Sequence, residues 1–240
     1  MAIAAISGQH GITAPSGTVS SASFAFTNTI TSGNAVTVQI GWNNHTTTLS
    51  TLTDDKGNIY TKLGATHDDT ATVLRMEHWV ATNLTNAPKT IQCAWSGAIT
   101  PSLCCQEWSG MALSPDDGGS STCNTASAAG SQSTNATSGN FTPTVDGDLI
   151  IGWLGNWDSV TSFSTGAGYT MLDTQTDGNT HLPTAVEYQI QGTAGSTNAK
   201  ININAASGNA QWLLCAQAFK AAVAGTAVSN PYSFLLTGMQ

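Results

Sequence analysis

The feature that most limits the possible folds of this chain is an internal repeat of short strand patterns. Three pairs of segments align at a constant separation of 110 positions: 76–79 with 186–189, 91–93 with 201–203, and 103–106 with 213–216. The run at 199–204 (AKININ) alternates apolar and polar residues, which is typical of a half-buried β-strand. No segment keeps the period of about 3.6 residues that an amphipathic helix needs. The sequence therefore predicts an all-β fold, an antiparallel β-sandwich built from two pseudo-repeats.

Each pseudo-repeat is predicted to contribute six strands separated by turn residues. The predicted strands of the first half are 22–30, 35–42, 58–63, 72–81, 89–95 and 102–108, and those of the second half are 137–145, 148–154, 168–173, 183–191, 198–204 and 211–219. Two separate small domains are one interpretation of this repeat. A single sandwich is the preferred prediction, because a few short strands make a thin core and no charged or proline-rich linker divides the halves.

The predicted organisation places this sandwich between two terminal segments. The predicted regions are an N-terminal arm at 1–20, a β-sandwich at 21–220 and a C-terminal tail at 221–240, with half-repeats 21–113 and 137–220 joined by a loop at 114–136. The loop is rich in Ser, Gly and Ala, and it is unusually long for a connection inside a compact domain. Capping an end of the sandwich, contacting a partner and being a mobile segment are all open interpretations of it.

The C-terminal tail carries an apolar cluster formed by Tyr232, Phe234, Leu235 and Leu236. Apolar side chains at a free end are costly in water unless they dock on another surface. That surface is either the chain's own sandwich or a neighbouring molecule. These four residues are therefore the predicted partner-binding residues.

The chain is poor in charge, and its net charge is negative. Only 8% of the residues are charged, and 6 Lys and Arg stand against 14 Asp and Glu, for a formal net charge of −8. Nucleic acids and anionic membranes attract cationic surfaces, so neither is a predicted partner. The 36 threonines favour strands. No apolar run reaches the length of about 18 residues that a transmembrane helix requires.

Five cysteines occur, at positions 93, 104, 105, 123 and 215. An odd count without a Cys-x-x-Cys motif indicates neither a disulfide framework nor a zinc site. The cysteines are therefore predicted to be mostly buried thiols that pack as small apolar side chains.

No catalytic motif is present. The sequence lacks a nucleophile elbow, a zinc-protease helix, a phosphate-binding loop and a dinucleotide fingerprint. The five histidines do not show the spacing of metal ligands. Glu77 and His78 are neighbours on a predicted strand, so their side chains point to opposite faces and cannot act as a pair. The chain is predicted to be no enzyme, with no catalytic residue, no metal site and no cofactor.

Acidic residues offer an alternative to this conclusion, a calcium site. Aspartates cluster at 54–55, 68–69, 116–117 and 146–148, and loop carboxylates can bind calcium. Aspartate is also common in turns, where its side chain bonds to the nearby backbone, and no calcium-loop spacing occurs. The three glutamates, Glu77, Glu107 and Glu187, fall in predicted strands, and the repeat makes the first and last equivalent. A shared structural role is therefore the prediction for these two.

The seven tryptophans point mainly to core packing. Six of them fall at predicted strand positions, namely 42, 79, 95, 108, 153 and 212. Trp157 lies in a predicted loop between Asn156 and Asp158. It is the candidate for a glycan contact if the chain binds carbohydrate.

Four motifs follow one another in the part of the chain from residue 25 to residue 220. They are DDKGNIYT at 54–61, HW at 78–79, EWSG at 107–110 and AQAFK at 216–220. Their order resembles a β-sandwich family common in bacterial surface proteins and bacteriophage virions. The motifs are turn and core residues, so the resemblance implies a jelly-roll-like fold and brings no active site with it.

The resemblance implies a role on a phage head. The N-terminal segment lacks the basic region and apolar run of a signal peptide, which predicts synthesis in a cytoplasm or an already trimmed chain. The chain looks like a capsid decoration (cement) protein, assembled in the host cytoplasm and located on the capsid surface of the virion. Its expected partners are the major capsid protein and further copies of itself, with a trimer as the expected oligomer. The alternative is a carbohydrate-binding or adhesion sandwich, including a tail or fibre component.

Overall fold

The computed structural model describes residues 2–69, 73–126, 133–177, 181–205 and 210–223. Sixteen strands and no helix occur within these residues, and every strand pair is antiparallel. The predicted all-β, antiparallel sandwich class is therefore confirmed. Within this part of the chain no helix is present that could cross a membrane.

The first half of the chain folds into two facing sheets. Its strands are β1 (Ala4–Thr13), β2 (Val19–Ala25), β3 (Ala35–Asn43), β4 (Leu49–Asp54), β5 (Thr61–Asp69), β6 (Leu74–Ala81), β7 (Thr90–Ile99) and β8 (Pro101–Ser109). A five-stranded sheet has the order β1-β8-β3-β6-β5, and a three-stranded sheet has the order β2-β7-β4. Successive strands alternate between the two sheets except at β5 and β6, which is the winding of a jelly roll.

The second half has the same strand order. Its strands are β9 (Met111–Ala126), β10 (Asn135–Thr137), β11 (Leu149–Asn156), β12 (Val160–Thr165), β13 (Thr170–Gln175), β14 (Thr184–Ile190), β15 (Lys200–Ala205) and β16 (Trp212–Ala221). The five-stranded sheet is β9-β16-β11-β14-β13, and the three-stranded sheet is β10-β15-β12. Replacing each strand of the first half by the strand eight places later reproduces both orders.

Three apolar cores separate the four sheets. One core lies inside the first sandwich and includes Trp42 and Ile91, and another lies inside the second and includes Leu154 and Ile201. The third core lies between the two five-stranded sheets and contains side chains from both halves, Trp153 among them. The five-stranded sheets therefore form the two middle layers of the molecule.

The two middle sheets stack with a pseudo-two-fold relation. Strand β5 contacts β9 at one edge of the stack, and β1 contacts β13 at the other. Strand β9 is the counterpart of β1, and β13 is the counterpart of β5. The two contacts are therefore equivalent, with the first and second halves interchanged. The chain is thus built like a dimer of jelly rolls joined covalently.

The structure corrects the predicted domain organisation. The two halves do not share one sandwich over 21–220, because each closes a core of its own with a three-stranded sheet. The predicted N-terminal arm at 1–20 contains β1, an edge strand that pairs with β8. The predicted tail begins too early, since β16 continues to Ala221, which pairs with Met111.

The predicted loop at 114–136 is also wrong over most of its described length. Strand β9 runs from Met111 to Ala126 and pairs with β16, and β10 occupies Asn135–Thr137. The second half therefore opens with these two strands, and not with a strand at 137–145. The small polar residues of β9 are tolerated because it is an edge strand with ladder bonds on one side only.

One of the three repeat alignments fails when the faces of the strands are compared. Leu103 points into the core of the first sandwich, whereas Leu213, its partner in the alignment, points into the core between the halves. A shift of one residue reverses the face of every side chain in a strand. The separation of 110 positions therefore does not describe the counterpart strands β8 and β16.

Gly152 in β11 provides a test of packing in the second sandwich. A Cβ atom at this position would lie 2.6 Å from the Ala199 Cβ and 3.1 Å from the Glu187 Cγ. We expect Gly152→Ala to lower the free energy of unfolding by about 2 kcal/mol, as overpacking of a core does. Urea denaturation measures the change.

The matched control for this substitution is Gly155→Ala in the same strand. A Cβ atom there would have no heavy atom nearer than 3.9 Å. We expect its free energy of unfolding to stay within about 0.5 kcal/mol of the wild type. Equal values for the two variants would show that this close approach does not limit packing.

Candidate functional site

All three glutamates are buried and serve as internal hydrogen-bond acceptors. Glu107 in β8 accepts bonds from the Thr31 backbone N–H at 2.9 Å and from the Asn34 and Gln9 amides at 2.6 and 3.1 Å. These bonds tie the turn before β3 and the first strand to the middle of the sheet. The contacts of Glu107 therefore give it a structural role.

Glu77 and Glu187 occupy corresponding strands in different sandwiches. Glu77 in β6 accepts bonds from the Trp79 Nε1 at 2.8 Å and from the Thr66 hydroxyl at 2.5 Å. Glu187 in β14 accepts bonds from the backbone N–H groups of Lys200 and Gly166 at 2.8 and 3.1 Å. The two carboxylates bind separate sets of donors in separate halves, so they do not flank a common cleft as a glycosidase pair would.

The aspartates of the DDKGNIYT motif stabilise a turn. Asp54 accepts bonds from the Lys56 and Asn58 backbone N–H groups, the Asn58 amide and the Tyr60 hydroxyl. Asp55 accepts bonds from the backbone N–H groups of Lys89 and Thr90, and those bonds lower its pKa. Both carboxylates thus accept hydrogen bonds from the chain itself. This agrees with the interpretation of these aspartates as turn residues, which was the alternative to calcium binding.

Asp148 and Asp117 form a buried acidic pair near the start of β11. Asp148 is fully buried, and burial, with the charge of Asp117 as the second cause, raises its pKa to about 7. Asp117 in β9 accepts bonds from the Thr144 hydroxyl and backbone N–H, both at 2.5 Å. The pair anchors the 144–148 turn to β9, and its burial closes it to any substrate.

His78 lies in the core between the halves, away from solvent. Its strand neighbours Met76 and Val80 belong to that core, whereas Glu77 bonds to Trp79, which packs on the core of the first sandwich. The prediction that Glu77 and His78 face opposite sides is therefore confirmed. Burial lowers the pKa of His78 to about 3, so its ring is neutral at pH 7.

Two other histidines pair with aspartates that are distant from them in the sequence. His10 in β1 bonds to Asp173 in β13 with its Nδ1 2.5 Å from the Oδ2, a contact that crosses between the halves. His45 bonds to Asp68, which also lies 3.4 Å from the Arg75 Nε. Both pairs join neighbouring structural segments, so their geometry serves the fold.

The cysteines divide into two groups. Cys93, Cys104 and Cys105 are buried free thiols, as predicted, and burial raises their pKa values. Cys123 and Cys215 form a disulfide, so the prediction that excluded one is wrong. The two residues are 92 positions apart and meet only because the register of β9 with β16 places them directly opposite each other.

Sulfur and nitrogen atoms cluster around this disulfide. The ligand atoms of His67, Cys123 and Cys215 all lie within 4.8 Å of one another. The Met76 Sδ is 3.9 Å from the Cys215 Sγ. The cluster was missed in the sequence because its four residues come from four strands, and no local spacing connects them.

The tryptophans follow the sequence prediction closely. Trp42, Trp95, Trp108, Trp153 and Trp212 are buried, and Trp79 is half-buried. Trp157, in the turn between β11 and β12, is 44% exposed, as its predicted loop position indicated. Its backbone N–H donates to the Gln211 carbonyl at 3.0 Å, which fixes the turn while the ring faces solvent.

An open groove with both polar and apolar walls lies beside the first residues of β9. It has a volume of about 450 Å³ and is lined by residues of β5, β6 and β9, including Leu63 and Val80. Ile59 and Leu113 at its rim are 86% and 72% exposed. The predicted partner-binding residues Tyr232, Phe234, Leu235 and Leu236 lie outside the described residues, whose last member is Val223.

Comparisons with family models, curated proteins and solved structures find no match to this chain. Within the described residues, the three glutamates and both aspartates of the DDKGNIYT turn accept internal hydrogen bonds, whereas the groove and Trp157 face solvent.

The buried carboxyl of Asp148 gives a testable pH dependence. Its pKa is raised from 3.8 to about 7, so the folded chain binds a proton more tightly than the unfolded chain does. This contribution to stability is present at low pH and is lost as the pH rises through about 7. Asp148→Asn imitates the protonated acid, and we expect it to unfold with a free energy about 2 kcal/mol higher than the wild type at pH 8.

Thermal or urea unfolding between pH 4 and pH 8 measures this difference. The advantage of Asp148→Asn should be small at pH 4, grow as the pH rises, and level off above pH 7. Asp146→Asn is the matched control, because it removes an exposed acid from the same turn. An advantage of Asp148→Asn that is the same at every pH would contradict the argument.

Proposed function

We propose that this chain is a non-enzymatic structural protein of a virion, specifically a capsid decoration protein that binds the outside of a phage head and stabilises it. The observation that carries the proposal is that the carboxylate side chains named below accept hydrogen bonds from the chain itself. The three glutamates and both aspartates of the DDKGNIYT turn accept bonds from the chain itself. Such a surface offers shape and apolar contact, and little acid–base chemistry.

The architecture supports this proposal in a second way. Jelly rolls are common in viral capsid and lectin domains. Here two of them share a third core, so the molecule contains three packed apolar cores. A protein that clamps neighbouring capsid subunits has to resist deformation. The net charge of −8 limits association of free copies before they reach the shell.

The proposed contact face contains the groove and the C-terminal segment. The Ala222 backbone N–H donates to the Gly110 carbonyl at 2.8 Å, so the described chain ends beside the start of β9. Leu113, three residues further along β9, is at the groove rim. The apolar residues Tyr232, Phe234, Leu235 and Leu236 follow within the next 13 positions after Val223. We assign this face to the major capsid protein, with further copies of the chain around a symmetry axis as second partners.

Deletion of residues 224–240 tests the assignment of the tail. The purified full-length chain should co-sediment with heads of the virus that encodes it, saturating at a fixed ratio to the major capsid protein. The deletion should weaken this binding by at least about 100-fold, because the buried apolar side chains contribute roughly 1.5–3 kcal/mol each. Truncation after Val223 leaves every described strand intact.

A second variant separates the apolar side chains from the length of the tail. Replacement of Tyr232, Phe234, Leu235 and Leu236 by serine keeps the full chain and should weaken head binding as much as the deletion does. Trp157→Ala changes a residue in the turn between β11 and β12, outside the proposed contact face, and should bind like the wild type. Unchanged binding of the deletion variant would remove the tail from the contact. Failure of the full-length chain to bind heads would overturn the decoration role.

Carbohydrate binding is the second candidate function, and the exposure of Trp157 favours it. An exposed aromatic ring on a fixed turn can stack on a sugar face. If the chain is a glycan-binding or adhesion protein, it should bind glycans on an array, and Trp157→Ala should reduce that signal at least about tenfold. Trp79→Phe is a poor control because it lies near a core, so Ser159→Ala in the same turn is preferred. A blank array would eliminate this candidate.

A further inference from the structure

The disulfide of Cys123 and Cys215 lies at one edge of the stack of middle sheets. Strand β9, which carries Cys123, is the edge strand of the second five-stranded sheet, and β5, which carries His67, is the edge strand of the first. Cys215 and Met76 belong to the core between the sheets. The four side chains therefore converge on one point from both halves.

These side chains offer soft donor atoms. Two cysteine sulfurs, one imidazole and one thioether are present, and the first three lie within 4.8 Å of one another. The Met76 Sδ follows at 3.9 Å from the Cys215 Sγ. Thiolate and thioether ligands together select Cu(I) over harder divalent cations.

The cluster is fixed by a neighbouring hydrogen bond and is accessible from solvent. Asp69, two residues after His67, accepts a hydrogen bond at 3.0 Å from the hydroxyl of Thr125, two residues after Cys123. This bond fixes the two edge strands beside the cluster. His67 and Cys123 are half-buried, whereas Cys215 and Met76 are buried, so an ion can enter from the rim and meet donors on its inner side.

We propose that the reduced chain binds one Cu(I) ion through Cys123, Cys215 and His67, with Met76 as a fourth ligand, and that the disulfide is the oxidised state that closes this site. Reduction by a dithiol breaks the S–S bond, gives two protein thiols and leaves the reductant as its own disulfide. Cu(I) then replaces the two thiol protons, which leave to solvent, and copper keeps its oxidation state throughout.

The two states hold the molecule together differently. The disulfide joins β9 to β16, which are neighbours in one sheet of the second half. A copper ion bound to His67 and Met76 as well would join β5 and β6 of the first half to that sheet. The switch therefore replaces a bond within one half by a bridge between the halves, independently of the proposed role on a capsid.

Anaerobic titration of the full-length chain with Cu(I) tests the site, with bathocuproine disulfonate as the competing chelator. The chain is first reduced with dithiothreitol, which is then removed. One equivalent should bind to the reduced chain, and the oxidised chain should bind at least about 100-fold more weakly. Bound Cu(I) should raise the Tm of the reduced chain by about 5 °C, since only the folded state assembles the ligands.

Three variants assign the ligands. Cys123→Ser should weaken binding by about 100-fold, and His67→Gln and Met76→Leu by about tenfold each. Cys104→Ala is the matched control, because this free thiol belongs to the same core but not to the cluster, and it should bind like the wild type. The Tm of each variant without copper verifies that it is folded.

Three results would overturn the proposal. The first is equal Cu(I) affinity in the wild type and Cys123→Ser, and the second is loss of binding in Cys104→Ala. The third is tighter binding of Zn(II) than of Cu(I) by the reduced chain, which would remove the role of the thioether. X-ray absorption at the copper edge should show sulfur and nitrogen neighbours in the wild type and no nitrogen in His67→Gln.

Discussion

The core between the two five-stranded sheets is the interaction on which the rest of the structure depends. Strands β3, β8, β11 and β16 are buried along nearly their whole length, because each lies in a sheet that is covered on both faces. Either half alone would expose one of these sheets to water as a large apolar face. The two jelly rolls are therefore obliged to fold against each other.

Small residues make this close stacking possible. At Gly41 in β3, a Cβ atom would lie 3.3 Å from the Nε1 of Trp153, which belongs to the opposite half. At the other end of β3, Trp108, which pairs with Ala35, meets Tyr188 of the second half edge to face, with ring centroids 5.2 Å apart. The Trp153 ring thus occupies the space left by Gly41, and aromatic side chains of both halves pack together in the core between them.

The sequence predicts what depends on neighbouring residues and misses what depends on distant ones. The all-β class and the burial of most tryptophans follow from local period and residue type, which any single strand displays. The division into two sandwiches does not, because a strand covered on both faces loses the alternation that would identify its inner side. Strands β8 and β16 lack this alternation as well. The sequence therefore did not reveal the one-residue shift by which Leu103 and Leu213 point into different cores. Strand β9 resembled a loop since its partner, β16, lies about a hundred positions away.

The sulfur cluster could not be predicted for the same reason, because its residues are far apart in the sequence. The pseudo-two-fold relation places this cluster in the architecture. The stack has two equivalent edges, where β1 meets β13 and where β5 meets β9. The first is closed by the bond between the His10 imidazole and the Asp173 carboxylate. The second places His67 opposite sulfur atoms instead of a carboxylate. Since the architecture requires contact at both edges but does not dictate its chemistry, the second edge is free to respond to redox state and soft metal ions while the first holds the halves in place.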